Sequence, residues 1–458
     1  METSPLKSPG NQPNATFWLP YNVLTLGHLR TKLLSLVIDH TQSFVLAALG
    51  RVRLGEITIK HNDTVQTFGS SGRQRATLTI RSDNVWWRVA LNSTIGFSES
   101  YMLGEIDCSN LETFLEIMIL NREKTSDLAS AASIVLSRAA GWMRPSNDPA
   151  VALSNVRSHY DLSNDAFSAF LSPDMTYSCP IWLPKSDANA TESLEKAQLR
   201  KLHEVIDQAK IKQTDHVLEI GTGWGSFAIA AARSTGCRVT SLTLSAEQKA
   251  EAEKRIRAAG LQDKITVLLQ DYRSLSGAGQ RFDKCVSLEM LEHVGKDHLA
   301  TYFAIIDEVL KRDGGIVVLQ SSTMPETRYK AYNEGDDFIR KYIFPGAHLP
   351  TTTKIIEAAH AGSNGSFVPE KLINLGGHYS KCLRTWRENF MTNFDSQIAP
   401  AMMARNEGIL PLEMEQFKRK FVFYFAMCEA GFKTKTLGNA LITFAREGAI
   451  ETLDDIEL

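Results

Sequence analysis

The chain has no paired-cysteine motif, no basic excess and no long unbroken apolar run, and each absence removes a class of function. Its six cysteines, Cys108, Cys179, Cys237, Cys285, Cys382 and Cys428, include no C-x-x-C pair and no zinc-type spacing. Neither a disulfide framework nor a metal site is therefore expected, and scattered single thiols point to a reducing compartment. The formal net charge of −2 over 458 residues argues against bulk nucleic-acid binding, which needs a basic face. The longest apolar stretches, LLSLVIDHTQSFVLAALG and FVFYFAMCEAGF, are interrupted by Asp39 and His40 or too short to span a bilayer. The N-terminal METSPLKSPGNQPNATFWLP lacks the apolar core of a signal peptide, so Asn14-Ala-Thr and Asn92-Ser-Thr are expected to be idle sequons. No internal repeat or long low-complexity run is visible. A cytoplasmic protein, peripherally associated with a membrane, is the expectation.

What is present is enough for a packed core, with 43% hydrophobic and 22% charged residues. Residues 1–20 read as a flexible tail. Residues 21–123 read as an α+β unit. A helical pattern over HLRTKLLSLVIDHTQSFVLAAL precedes the alternating stretches GEITIKH, TVQTFG, ATLTIRS and VWWRVAL, expected as strands. GFSESYMLGEIDCSNLETFLEIMILN then reads as a glycine-punctuated turn and an amphipathic helix. Residues 124–150 read as a linker. From about residue 195 strands and helices alternate, from LEKAQLRKLHEVIDQAKI to GGIVVLQSST, which predicts a mostly parallel, doubly wound Rossmann-like α/β sheet within a second unit, 151–458.

The strongest local signal is VLEIGTGWGSFAIAAA, residues 217–232. Glycines at a strand end let the backbone turn sharply and let a ligand approach the next helix. The spacing is G-x-G-x-G rather than G-x-G-x-x-G, and the next strand, ending SLTLSAEQ, has no acid for a ribose. The acid instead sits inside the first strand, as Glu219, two residues before Gly221. That arrangement resembles motif I of S-adenosylmethionine methyltransferases; the plain alternative is a tight turn. The third strand ends LLQDYRSL, where Gln270 or Asp271 can hydrogen-bond an adenine edge beside Tyr272, unless Asp271 is an ordinary strand-end aspartate.

The order of further segments resembles the cyclopropane-fatty-acyl-phospholipid synthase family. They are HYDLSNDAFSAFLSPDMTYSCPIW (159–182), VTSLTLSAEQ, DYRSL, MLEHVG, FIRKYIFPGAHLP (338–350), GGHYSKCLRTWRENF (376–390) and FYFAMCEAGF (423–432), with GFSESYMLGEID (96–107) in the first unit. The resemblance covers nearly everything after about residue 25. It implies that Tyr177 and Ser178 fold over S-adenosylmethionine, that Gly221 and Gly223 line its methionine part, and that Thr243, Leu244 and Gln248 hold the ribose end. It also implies a bicarbonate ion at the reaction centre, held by Cys179 through its backbone, Glu292, Ser322, Tyr379 and Gln320. Gln320 stands where bacterial members carry histidine; it can donate an N–H to an anion but cannot carry a proton away.

The implied reaction passes the electrophilic methyl of a sulfonium to an alkene in an unsaturated phospholipid, leaving a carbocation. Aromatic faces stabilise such a cation; Tyr177, Trp182, Phe344 and Tyr379 are the candidates. A base must then remove a proton to close the ring, a role the resemblance gives to bicarbonate oriented by Glu292 and Tyr379, with Glu292 able to receive the proton. Glu289 is read as structural or near the adenine, because many relatives have no acid there. His293 is read either as structural or as a proton relay, and Glu429 as a packing or ion-pair residue. Arg340-Lys341 and Lys418-Arg419-Lys420 read as solvated faces or as contacts to lipid headgroups. Bacterial relatives suggest a homodimer. Three rivals stand beside this reading: a methyl- or methylene-branched product, a small-molecule or sphingoid acceptor, and a non-catalytic lipid-binding protein.

Overall fold

The structure is a computed structural model that describes residues 36–453, except Arg73, 126–161, Ala278, Gln280 and Glu407. The expected tail and most of the expected linker lie outside the described residues. Residues 36–49 are helical. Strands β1 (Glu56–His61), β2 (Thr64–Gly69) and β3 (Arg75–Ile80) follow, as the alternation predicts. They join β4 (Ile106–Cys108) in a sheet of order β2-β1-β3-β4. Ile57, Ile59, Ala76, Leu78 and Ile80 alternate into its buried face.

One expected strand is a helix. VWWRVAL lies in Asn84–Met102, where Val85, Trp86 and Ala90 are buried together and Trp86 meets the His61 ring edge-on at 5.4 Å. Its valines and tryptophans mimic strand composition, but packing against the small sheet decides the conformation. GFSESYM continues that helix instead of forming a turn, past a kink at Ser93 (φ 44°). The amphipathic helix then forms as expected, over Leu111–Leu120, capped by the Asn110 side chain on the Thr113 N–H.

The second sheet has the order β10-β11-β9-β8-β5-β6-β7. Its parallel part comprises β5 (His216–Ile220), β6 (Arg238–Thr243), β7 (Ile265–Leu269), β8 (Lys284–Leu288) and β9 (Ile316–Thr323). The intervening helices fall where periodicity puts them. Two strands beyond the alternating region complete the sheet, β10 (Val368–Asn374) and β11 (Gly438–Ala445), with β11 antiparallel to β9. Chain order reverses between β5 and β8, and the crevice beyond the carboxyl ends of the strands at such a switch point is where open α/β sheets bind ligands.

The two sheets share one apolar core through the long helix Pro411–Lys433. Phe97 of the first unit stacks on Phe114 at 4.8 Å and lies 6.1 Å from Phe423. Charged links ring this contact. Lys433 pairs with Glu112 and Glu116, Arg419 with Asp107, and Lys341 with Glu99. In the same two basic clusters Arg340 is bonded to Asp337 and Lys418 approaches Asp395, while the Lys420 ammonium lies over the Phe417 ring, 5.4 Å from its centroid.

Candidate active site

At the switch point the chain leaves β5 through Gly221 (φ 101°) and Gly223 (φ 52°). A side chain on Gly221 would press on Met290, and Gly223 faces open space, so the turn both needs left-handed backbone and leaves room beside it. The space is a cavity of about 540 Å³. Around it the structure gathers Tyr177, Ser178, Glu219, Gly221, Gly223, Thr243, Leu244, Gln248, Gln270, Asp271 and Tyr272, all eleven residues expected to touch a cofactor. Thr243 donates to Gln248 Oε1 at 2.8 Å, and Gln270 donates to Ser274. Asp271 caps the turn that follows and pairs with Arg273, which holds its carboxyl below the usual range. Gln270 is thus the freer side chain for an adenine edge.

Glu219 is buried inside β5, with Ser241 donating to its carboxylate. Burial pushes its pKa up to about 8, while Ser241 and the Lys201 charge work the other way.

The segment Tyr177–Trp182 forms a strap whose first two residues, Tyr177 and Ser178, line the cavity. From below, helix Leu194–Gln208 holds it: Gln198 donates to the Ser178 carbonyl at 2.7 Å and Lys201 Nζ to Ser178 Oγ at 2.8 Å. From the side, the Tyr177 hydroxyl meets that of Tyr424 at 2.9 Å, and its ring lies 4.9 Å from Trp386. Trp182 donates to the His378 carbonyl and carries Lys381 on its face, so its ring is already engaged and is not a free face for a substrate cation. Phe344 lines the cavity, edge-on to His293 at 5.8 Å. His293 also lines it, and desolvation lowers its pKa, favouring the neutral ring.

Of the five residues expected around an ion, Cys179, Gln320 and Tyr379 come together on a side chain read as peripheral, while Ser322 bonds Glu292. One residue past β8, Glu289 turns its carboxylate into the ring of donors. Oε1 accepts from the Cys179 N–H at 2.9 Å, Asn439 Nδ2 at 2.8 Å and Gln320 Nε2 at 3.1 Å. Oε2 accepts from the Tyr379 hydroxyl at 2.7 Å. Glu289, read as structural or near the adenine, thus stands at the centre of this hydrogen-bonded group. Glu292 sits deeper and takes the Ser322 N–H on Oε1, while its Oε2 is buried without a partner. Burial, then the charge of Glu289, push the Glu292 carboxyl up to about 8. Cys179 contributes only its backbone; burial raises its thiol far above the ordinary range. Glu429 lies away from this group, paired with Arg384 and Arg387.

The sequence reading missed Lys201, Gln198, Asn439 and the role of Glu289. A lysine on the apolar face of an amphipathic helix, and an asparagine opening the apolar run GNALITFA, were the available signals.

A sequence model described as mycolic acid cyclopropane synthetase matches residues 148–440. The chain is 35% identical over 407 residues to tuberculostearic acid methyltransferase UfaA1 of Mycobacterium tuberculosis, covering 86% of this chain and 88% of that protein. It is 32% identical over 376 residues to the cyclopropane-fatty-acyl-phospholipid synthase of Escherichia coli (strain K12), covering 82% and 89%. Among solved structures it resembles the cyclopropane synthase MmaA2 from Mycobacterium tuberculosis. That match has a TM-score of 0.54 at 25% identity and covers 64% of this chain and 98% of that one.

Proposed function

Because this chain belongs to the mycolic acid cyclopropane synthetase family of S-adenosylmethionine-dependent methyltransferases acting on lipid acyl chains, we propose that it converts a cis double bond of a phospholipid acyl chain into a cyclopropane. One observation carries the reading. A single cavity gathers every residue expected to touch the cofactor and also opens on Glu289, a carboxylate in a ring of donors.

S-adenosylmethionine fits this cavity, and when bound it supplies an electrophilic methyl on a sulfonium. The Tyr177–Cys179 strap closes over that end, and Glu219 faces it with a carboxyl that a nearby cation would ionise. Tyr177 and Phe344 line the same space and offer aromatic faces to a carbocation on the acyl chain. Such a cation must be kept from water for the ring to close. Bicarbonate does not fit as the sequence reading had it: the donors from Cys179, Gln320 and Tyr379 are engaged by Glu289. No step is routed through it.

We place the acceptor in a phospholipid met by peripheral membrane contact. Among the described residues no helix is long and apolar enough to cross a membrane, so on this reading the alkene must come to the protein. A second reading, a methyl- or methylene-branched product, is favoured by one observation: the 35%-identical relative is named a methyltransferase of tuberculostearic acid. The test is transfer of labelled methyl from S-adenosylmethionine to a panel of unsaturated phospholipids, sphingoid bases and small amines. Label confined to unsaturated acyl chains is expected. Label in a sphingoid base or amine alone would overturn the reading.

A further inference from the structure

We propose that the carboxylate of Glu289 is the resident proton acceptor of the reaction, standing where an exogenous bicarbonate would otherwise stand. This rests on the methylene-transfer reading above and supplies the base that it needs.

The first argument is a count of lone pairs. A carboxylate offers about four acceptor sites, two on each oxygen. Oε1 receives three donors, from Cys179, Asn439 and Gln320, whereas Oε2 receives one, from Tyr379. Oε1 is saturated and Oε2 keeps a lone pair. A second anion would find these donors occupied and would meet the charge of Glu289 at contact range.

The second argument is backbone conformation. Glu289 has φ 53°, in the left-handed region. A non-glycine residue is uncommon there, while glycine adopts it without steric cost. Such strain persists where the surroundings over-determine it. Here the surroundings are the four donors, and what they fix is the carboxylate.

The third argument is which of the two acids carries the charge. Like charges side by side do not both ionise readily. Glu292 takes the Ser322 N–H on Oε1, is also helped by its own backbone and the Ser321 side chain, and leaves Oε2 buried without a hydrogen bond. Burial raises the Glu289 carboxyl as well, but its donors from Cys179, Tyr379 and Asn439 and the charge of buried Lys201 oppose that rise, whereas at Glu292 the charge of Glu289 adds to it. Glu289 is therefore the anion and Glu292 the neutral acid.

The proton balance follows. After methyl transfer, a C–H bond of the added methyl breaks. Its electron pair closes the third ring bond onto the cationic carbon, and the proton goes to Glu289 Oε2. Gln320 donates to the carboxylate throughout and takes no proton. Glu289 lines the cavity, so the proton can leave to solvent when product departs.

The test uses the full chain in carbon-dioxide-free buffer, as wild type, Glu289→Gln and Glu289→Gly. Three readouts are taken: binding of 13C-bicarbonate by NMR line broadening, affinity for S-adenosylmethionine, and label transfer to unsaturated phospholipid. The wild type is expected to bind no bicarbonate and to run at one rate with or without it. Glu289→Gln is expected to lose about 10²–10⁴-fold in rate with its affinity for S-adenosylmethionine retained. Glu289→Gly suits the backbone and empties the ring of donors; it is expected to bind bicarbonate and regain activity when bicarbonate is added. Specific bicarbonate binding by the wild type, or a several-fold fall in its rate on bicarbonate removal, would overturn the proposal while leaving methylene transfer intact. A wild type that labels no lipid would overturn the functional reading instead, and the bicarbonate-binding contrast between wild type and Glu289→Gly would still decide the role of Glu289.

Discussion

At the scale of single residues, the site is a set of carboxyls whose charge is set by their neighbours. Glu219 is held up to about 8 by burial, so it is mostly protonated at neutral pH. A bound sulfonium favours its ionised form, so binding of S-adenosylmethionine is expected to release a proton. The sign follows from linkage: affinity should rise with pH up to about 8, by at most tenfold per unit, and then level off. Titration calorimetry in buffers of different ionisation enthalpy checks this; proton uptake, or affinity flat from pH 6 to 8, would contradict it. Glu289 and Glu292 give a second contrast. If Glu292 is already neutral, Glu292→Gln keeps its shape and its acceptor for the Ser322 N–H. Its rate is expected within about tenfold of wild type, against the 10²–10⁴-fold loss of a missing base in Glu289→Gln. Equal losses in single-turnover rates would sink that division of labour. Much of this was legible in sequence: the glycine turn, Glu219 and the order of motifs named the cavity wall residue by residue. The place of Glu289 was not, because nothing in SLEM announces a left-handed backbone that swings the side chain toward Cys179.

At the scale of elements, periodicity predicted the parallel strands and their helices, because each carries a buried face with the right repeat. It failed where packing overrides local preference. VWWRVAL has strand composition but is helical, since Trp86 is needed against the small sheet. VPEKLIN carries a proline and two charges and is almost wholly exposed, an edge strand with little alternation to read. Its neighbour β11 matters more, because its register sets Asn439 opposite Ser322 and Leu441 opposite Gln320. That pairing delivers Asn439 Nδ2 to Glu289 and Asn439 Oδ1 to Gln320 Nε2 at 3.0 Å. Asn439→Leu removes one donor to the carboxylate and one anchor of Gln320. It is expected to lower kcat about tenfold or more, the scale of one hydrogen bond to a charged group, with affinity for S-adenosylmethionine unchanged. An unchanged kcat would mean that β11 serves the sheet alone.

At the scale of the whole molecule, the first unit is locked to the helix Pro411–Lys433 by Phe97 against Phe423 and by ion pairs at both ends of the contact. Both units should therefore unfold together. Lys433→Glu sets a third carboxylate against Glu112 and Glu116 and is expected to destabilise the protein by about 1–3 kcal/mol, discounted for the partial exposure of the lysine. A melting curve unchanged from wild type would show that the charged links add nothing to the apolar contact. This docking was not legible in sequence, because it joins residues some three hundred positions apart. The reaction itself is also a property of the whole, since strap, glycine turn and Glu289 come from separate segments. The most direct measurement is therefore of its product. Purified protein is given methyl-labelled S-adenosylmethionine and vesicles of cis-unsaturated phospholipid, and the recovered acyl chains are read by mass spectrometry and proton NMR. Upfield ring-methylene signals carrying the label are predicted. Label in the chain without ring protons, or no label in any acyl chain, would contradict the account.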